Sequence, residues 1–176
     1  MFTDNEQDLM MRLSRLEAQQ AVKNIMSQYM HLCDDLSSDA VAKKIATLFT
    51  EDAIWEGIGD LYQKKLGRYQ GRDNIKNMMS AYVKTPAHFL INVHFLCSEY
   101  IEIKTPCMAT GRWKMLQTST FTSGESHINC AELNVNFSLI NKEWLISHFT
   151  TRNLFSRPVD YLNSHQDLPV PDINKQ

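Results

Sequence analysis

From residue 8 to residue 33, apolar side chains recur at Leu9, Leu13, Leu16, Val22, Ile25, Met26, Tyr29, Leu32 and Cys33. Spacings of three and four predict one long helix with a single buried stripe, with Arg12, Arg15, Glu17, Lys23 and Asn24 on the other side. The run Asp34-Asp35-Leu36-Ser37-Ser38-Asp39 breaks this pattern and offers caps for a second helix, whose inward face is Val41, Ile45 and Leu48. Residues 51–56 read as a short strand with Ala53 and Trp55 on one face. Residues 57–67 read as a mobile excursion at the rim of a pocket, or as a hairpin, and Arg68–Gln70 as a very short strand. A third helix starts at Gly71-Arg72-Asp73-Asn74 and presents Ile75, Met78, Met79 and Tyr82. Pro86 disfavours helical geometry at Thr85, so this helix is expected to stop near Lys84.

Beyond Pro86 the period changes to two. Residues 92–103, 108–121, 127–140 and 143–153 are four strand candidates. In the third, Ala131, Leu133, Val135, Phe137 and Leu139 alternate with Glu132, Asn134, Asn136 and Ser138, the pattern of a half-buried antiparallel strand. Thr122-Ser123-Gly124-Glu125 and Asn141-Lys142 supply turns. Three helices followed by a long antiparallel sheet give an α+β order, with helices packed on one face of a strongly curved sheet. The expected organisation is a single domain over residues 1–155 and a polar, proline-bearing tail over 156–176 that either clamps a neighbour or is mobile.

A chain of 176 residues suits one domain and buries roughly 70% of its unfolded surface. Hydrophobic residues make up 43% and charged residues 22%, an ordinary globular balance. The net charge of −2, with no basic run beyond Lys43-Lys44 and Lys64-Lys65, argues against nucleic acid as a partner. Cys33, Cys97, Cys107 and Cys130 form no CxxC and no tight spacing with histidines, so they read as reduced cysteines and no metal site is expected. The acidic start, Met1 to Glu6, lacks the features of a signal peptide, and no apolar run reaches the roughly 18–20 residues that a membrane span needs. The expectation is a soluble, cytoplasmic protein. Gly57, Gly59, Gly67 and Gly71 do not form a phosphate-binding GxGxxG, which excludes a dinucleotide site.

Five blocks follow one another at characteristic distances: Tyr29-x4-Asp34; Leu48-Phe49-Thr50-Glu51-Asp52-Ala53-Ile54-Trp55-Glu56; Gly67-Arg68-Tyr69-Gln70-Gly71-Arg72-Asp73-Asn74-Ile75; His88-Phe89-Leu90-Ile91-Asn92; and Ala109-Thr110-Gly111-Arg112-Trp113. In order and spacing they resemble the SnoaL-like, scytalone-dehydratase-like branch of the NTF2-like superfamily, over roughly residues 16–158. The resemblance implies a cone-shaped α+β barrel, three N-terminal helices on a mostly antiparallel sheet, and an apolar cavity that works without metal or organic cofactor. It also implies an Asp–His pair, Asp34 with His88, and a tyrosine acid at Tyr29.

A carboxylate bound to one imidazole nitrogen fixes the tautomer and leaves the other nitrogen as a base. His88 would then remove a carbon-bound proton while Asp34 orients it and Tyr29 bonds the carbonyl or leaving group. Asp35 competes with Asp34, but the spacing from Tyr29 favours Asp34. Trp55 and Met79 are the preferred wall residues by the family's geometry. Tyr82 and Phe89, with Met78, Trp113, Phe137 and Phe149, are further wall or core candidates. His148 and Arg152, placed on one strand face with Trp144, Ile146 and Thr150, are candidates for pocket lining, with a hydrogen-bonded pair on the sheet as the plainer alternative. His31, His94, His127 and His165 are assigned to structural or surface positions.

The expected activity is that of a lyase or isomerase (dehydratase, double-bond isomerase or cyclase) acting on a mostly apolar cyclic or carbonyl compound. The alternative is a non-catalytic ligand-binding or assembly module on the same fold. The resemblance also implies self-association as a dimer or trimer, through the outer face of the late strands.

Overall fold

The structure, a computed structural model, describes residues 3–160 and 162; most of the proposed tail lies outside the described residues. Helix α1 (Asp4–Asp34) opens with a capping box, in which the Glu6 amide donates to Thr3 Oγ1 at 3.3 Å and the Thr3 amide to Glu6 Oε2 at 2.7 Å. Its stripe does not bury along the whole length. Val22, Met26, Tyr29 and Met30 are core, whereas Leu9 and Leu16 are 62% and 63% exposed and Leu13 is also exposed. A helix of 31 residues is roughly 46 Å long at 1.5 Å per residue, and its first turns project beyond the sheet.

Helix α2 (Asp39–Thr47) buries Ala42, Ile45 and Ala46. Strand β1 (Phe49–Ile58) turns Ala53, Trp55 and Gly57 inward. The segment after it is a helix, α3 (Gly59–Lys65), and not a hairpin. Asp60 in its first turn and Lys64 and Lys65 in its last complement the helix dipole, and this supports a helix with no buried residue. It folds back so closely that a Cβ on Gly57 would stand 2.5 Å from the Tyr62 carbonyl oxygen. Strand β2 (Arg68–Gln70) and helix α4 (Arg72–Ser80) follow, and α4 ends in a 3₁₀ turn, Ala81–Val83, just short of Lys84.

Four long strands complete the chain: β3 (Phe89–Thr105), β4 (Met108–Phe121), β5 (Ser126–Ile140) and β6 (Glu143–Pro158). The sheet order is β2-β1-β6-β5-β4-β3. Every pairing is antiparallel except β1 with β6. Among the described residues the sheet, with β2 and β3 as its free edges, does not close as a barrel. Strand β6 runs on to Pro158, past the expected end at residue 153.

One irregularity matters for the site. Asn136 pairs with His148 but Phe137 pairs with Ile146, so the β6 alternation shifts phase between them. Ile146, Phe149 and Thr151 consequently face the core, and His148 and Arg152 fall on the outer face. None of the helices among the described residues is long and apolar enough to cross a membrane.

Candidate active site

Between the helices and the concave sheet lies a cavity of about 270 Å³. Its apolar part is built from helix and strand positions of matching phase. Tyr29, Met30 and Cys33 come from α1, Met78 and Met79 from α4, Trp55 from β1 and Phe149 from β6. Trp55 and Phe149 stack at 5.7 Å with an interplanar angle of 6°, and Tyr29 lies 5.1 Å from Phe149. The lining also includes Asn92, His94, Gln117, Ser119 and Asn129, and contains no Lys, Arg, Asp or Glu.

Asp34 ends α1 and meets β3, but its partner is His94 and not His88. The Asp34 Oδ1 to His94 Nδ1 distance is 2.6 Å, and the same oxygen accepts the His94 backbone N–H at 2.9 Å. With Nδ1 donating to the carboxylate, Nε2 is the ring nitrogen left to accept a proton. His94 lines the cavity and Asp34 stands behind it. The sheet register carries His94 inward: it pairs with Gln117, and Asn92 with Ser119.

His88 also reaches the cavity wall, but from the chain just ahead of β3. Its ring sits among Phe89, Phe121 and Tyr82, at 4.5, 5.1 and 5.5 Å. The expected Asp34–His88 pair is thus replaced by Asp34–His94. His94 therefore does not hold the structural or surface position assigned to it from the sequence; the signal for it is its twofold spacing from Asn92, opposite polar residues in the inward phase of β4.

Tyr29, Trp55, Met79, Tyr82 and Phe89 all line the cavity. Trp55 Nε1 donates to the Tyr29 hydroxyl at 2.9 Å, which leaves the phenolic proton to be donated elsewhere. Burial pushes the Tyr29 hydroxyl well above its ordinary range, so it stays protonated. His148 and Arg152 do not line the cavity. His148 Nε2 is 2.7 Å from Glu56 Oε1, and Arg152 donates to Glu132 at 2.7 Å, both across the outer face. The phase shift in β6 is the reason. Among the described residues no group of three or more His, Cys, Asp or Glu side chains could hold a metal ion.

Cys33, half-buried in the cavity wall, has its thiol pushed up to about 12, first by desolvation. An upward shift from 9.0 means that the stability tied to it is whole below pH 9 and is lost as pH rises towards 12. Exposed Cys97 and Cys107 are therefore expected to react with a disulfide reagent at pH 8 well before Cys33, because the thiolate is the nucleophile. Mass-spectrometric mapping of the modified sites checks the order, and early labelling of Cys33 would contradict it.

A family model described as the SnoaL-like domain matches residues 14–150. Comparison with curated proteins gives no match. Among solved structures, the hexachlorocyclohexane dehydrochlorinase LinA-type3 of Novosphingobium barchaimii LL02 is similar at 17% identity, covering 90% of this chain and 99% of its own, with a TM-score of 0.71. A Novosphingobium aromaticivorans protein assigned as a scytalone dehydratase is similar at 17% identity, with 82% and 89% covered and a TM-score of 0.70. An NTF2-like protein with a cystatin-like fold from the same species is similar at 18% identity, with 87% and 92% covered and a TM-score of 0.67. At these identities the likeness establishes the fold.

Proposed function

The chain belongs to the SnoaL-like domain family, and from that premise we propose that it is a cofactor-independent lyase or isomerase whose base is His94, held by Asp34. The observation that carries this reading is the 2.6 Å contact between Asp34 Oδ1 and His94 Nδ1 behind a cavity that His94 itself lines. In this mechanism His94 Nε2 takes a proton from a carbon next to a carbonyl. Asp34 keeps the ring in the Nδ1–H tautomer and stabilises the imidazolium as it forms. The Tyr29 hydroxyl, neutral and fixed by Trp55, donates to the carbonyl oxygen or to a departing hydroxyl. Apolar walls exclude water, which strengthens each of these interactions. His88, at the same wall, contacts the ligand without carrying the proton.

Dissolving the protein with a panel of cyclic β-hydroxy ketones and β,γ-unsaturated ketones in deuterium oxide tests the proposal. The expected result is deuterium incorporation next to the carbonyl, with elimination or double-bond migration for at least one compound. A panel that exchanges no faster than buffer, while still binding, would leave a non-catalytic ligand-binding module as the better reading.

Self-association belongs to the same proposal. Phe95, Leu116, Cys130 and Phe155 pair in one row across β3, β4, β5 and β6 on the outer face, and Phe95, Leu116 and Phe155 are exposed. A dimer or trimer is expected by light scattering at micromolar concentration, shifting to monomer in Leu116→Lys. A monomeric parent protein would contradict it.

A further inference from the structure

We infer that Asn92 and Gln117 form a hydroxyl-anchoring subsite, which makes the ligand of this cavity a neutral, ring-bearing alcohol or phenol. The inference rests on the cavity being the functional site proposed above, and it adds the class of compound and the residues that select it. Asn92 Oδ1 accepts from Gln117 Nε2 at 2.7 Å and from Ser119 Oγ at 2.8 Å. Both acceptor positions of that oxygen are used, so the amide is locked in place. Asn92 Nδ2 and Gln117 Oε1 have no hydrogen-bond partner among the described residues, neither is a buried orphan, and both residues line the cavity.

One donor and one acceptor side by side match a hydroxyl group, which accepts from the first and donates to the second. Reversing both amides exchanges which residue supplies which group and leaves the pair intact. The cluster has little to do for the fold, since β3 and β4 are already joined by their backbone ladder on both sides of it. Polar side chains on an inward sheet face are costly unless satisfied, and Ser119, which braces the amide, is fully buried.

The surroundings narrow the ligand. No cationic side chain lines the cavity, so a carboxylate or phosphate would be desolvated without a counter-charge. The parallel Trp55–Phe149 stack offers a flat apolar wall that suits a ring. A volume of about 270 Å³ lies just below the roughly 300 Å³ at which ligand pockets usually begin, and admits one or two fused rings. Asn92 and His94 are two residues apart on one strand face, roughly 6–7 Å along β3. A six-membered ring anchored by its hydroxyl at Asn92 therefore spans to His94.

The test measures binding of 5-indanol, indane and indane-5-carboxylate to the full chain by ligand-observed NMR. The parent protein is expected to bind 5-indanol at least ~10-fold tighter than either other compound, a difference in line with one satisfied polar pair. In Asn92→Leu/Gln117→Leu/Ser119→Ala the preference over indane is expected to fall to within about threefold, with indane affinity kept, because all three polar partners leave together. Should that variant not fold, Asn92→Ala alone, which removes one member of the donor–acceptor pair in either amide orientation, is expected to bring the preference to within about threefold. Equal affinity for indanol and indane in the parent protein, or an undiminished preference in a folded variant, would overturn the subsite. His94→Ala is expected to keep the preference, since binding involves no proton transfer. Loss of turnover with the preference intact, or the reverse, therefore separates failure of the mechanism from failure of the subsite.

Discussion

His94→Ala is expected to lower kcat/KM by a factor on the order of 10³ for whichever ketone undergoes exchange, the usual span of a general base being 10²–10⁴. His88→Ala is expected to cost less than about tenfold, a difference that follows from geometry. Asp34 Oδ1 contacts His94 at the ring and at the backbone amide, whereas His88 is held by aromatic edges with no carboxylate to set its tautomer. Removing the His94 ring leaves Asp34 with its backbone donor, so the thermal midpoint of His94→Ala should stay within a few degrees of the parent and the lost activity is not lost fold. Asp34→Asn should reduce kcat more than KM, since it weakens the charge that stabilises the imidazolium and removes no ligand contact. The reverse ranking, with His88→Ala the worse variant, would return the role of base to His88.

Gly111→Ala is expected to destabilise the fold by about 1–3 kcal/mol, the usual cost of overpacking a core, which is roughly 2–12 °C in the thermal midpoint of a chain this size. A Cβ at this position would fall 2.2 Å and 2.5 Å from Cη2 and Cζ3 of Trp113. The indole cannot easily retreat. Trp113 is 1% exposed, packs edge-on to Phe137 at 6.3 Å and donates from Nε1 to Glu99 at 3.2 Å. Trp113→Leu alone is expected to cost a few kcal/mol through the cavity it leaves. Combined with Gly111→Ala the total should be less than the sum, because the small side chain then has room. A thermal melt of the four proteins gives the coupling; additive losses, or a Gly111→Ala change under about 0.5 kcal/mol, would contradict this packing.

Much of this architecture is legible in the sequence because periodicity is a direct imprint of burial. The C-terminal half of α1, the inward residues of α4 and the alternation of β5 each follow from spacing alone, and Asp34 follows from the end of the helical pattern. What spacing does not carry is phase across an irregularity. The shift in β6 between His148 and Ile146 turns His148 and Arg152 outward, although the residues around them read as one continuous face. The same limit explains the exchange of His88 for His94. Both are six residues apart near the start of β3, and only the docking of α1 on that strand decides which meets Asp34. The projecting start of α1 is a third case, since Leu9, Leu13 and Leu16 have helical spacing but no sheet beneath them. Helix α3 buries no residue and therefore leaves no hydrophobic period to read.

In the proposed mechanism Asp34 fixes the tautomer of a cavity-facing His94. Nitrogen-15 NMR of the histidine rings at mildly alkaline pH tests it most directly. The predicted result is His94 carrying its proton on Nδ1 with Nε2 bare, and a loss of that tautomeric preference in Asp34→Ala. A proton on Nε2 in the parent protein, or the same tautomer in Asp34→Ala, would contradict it.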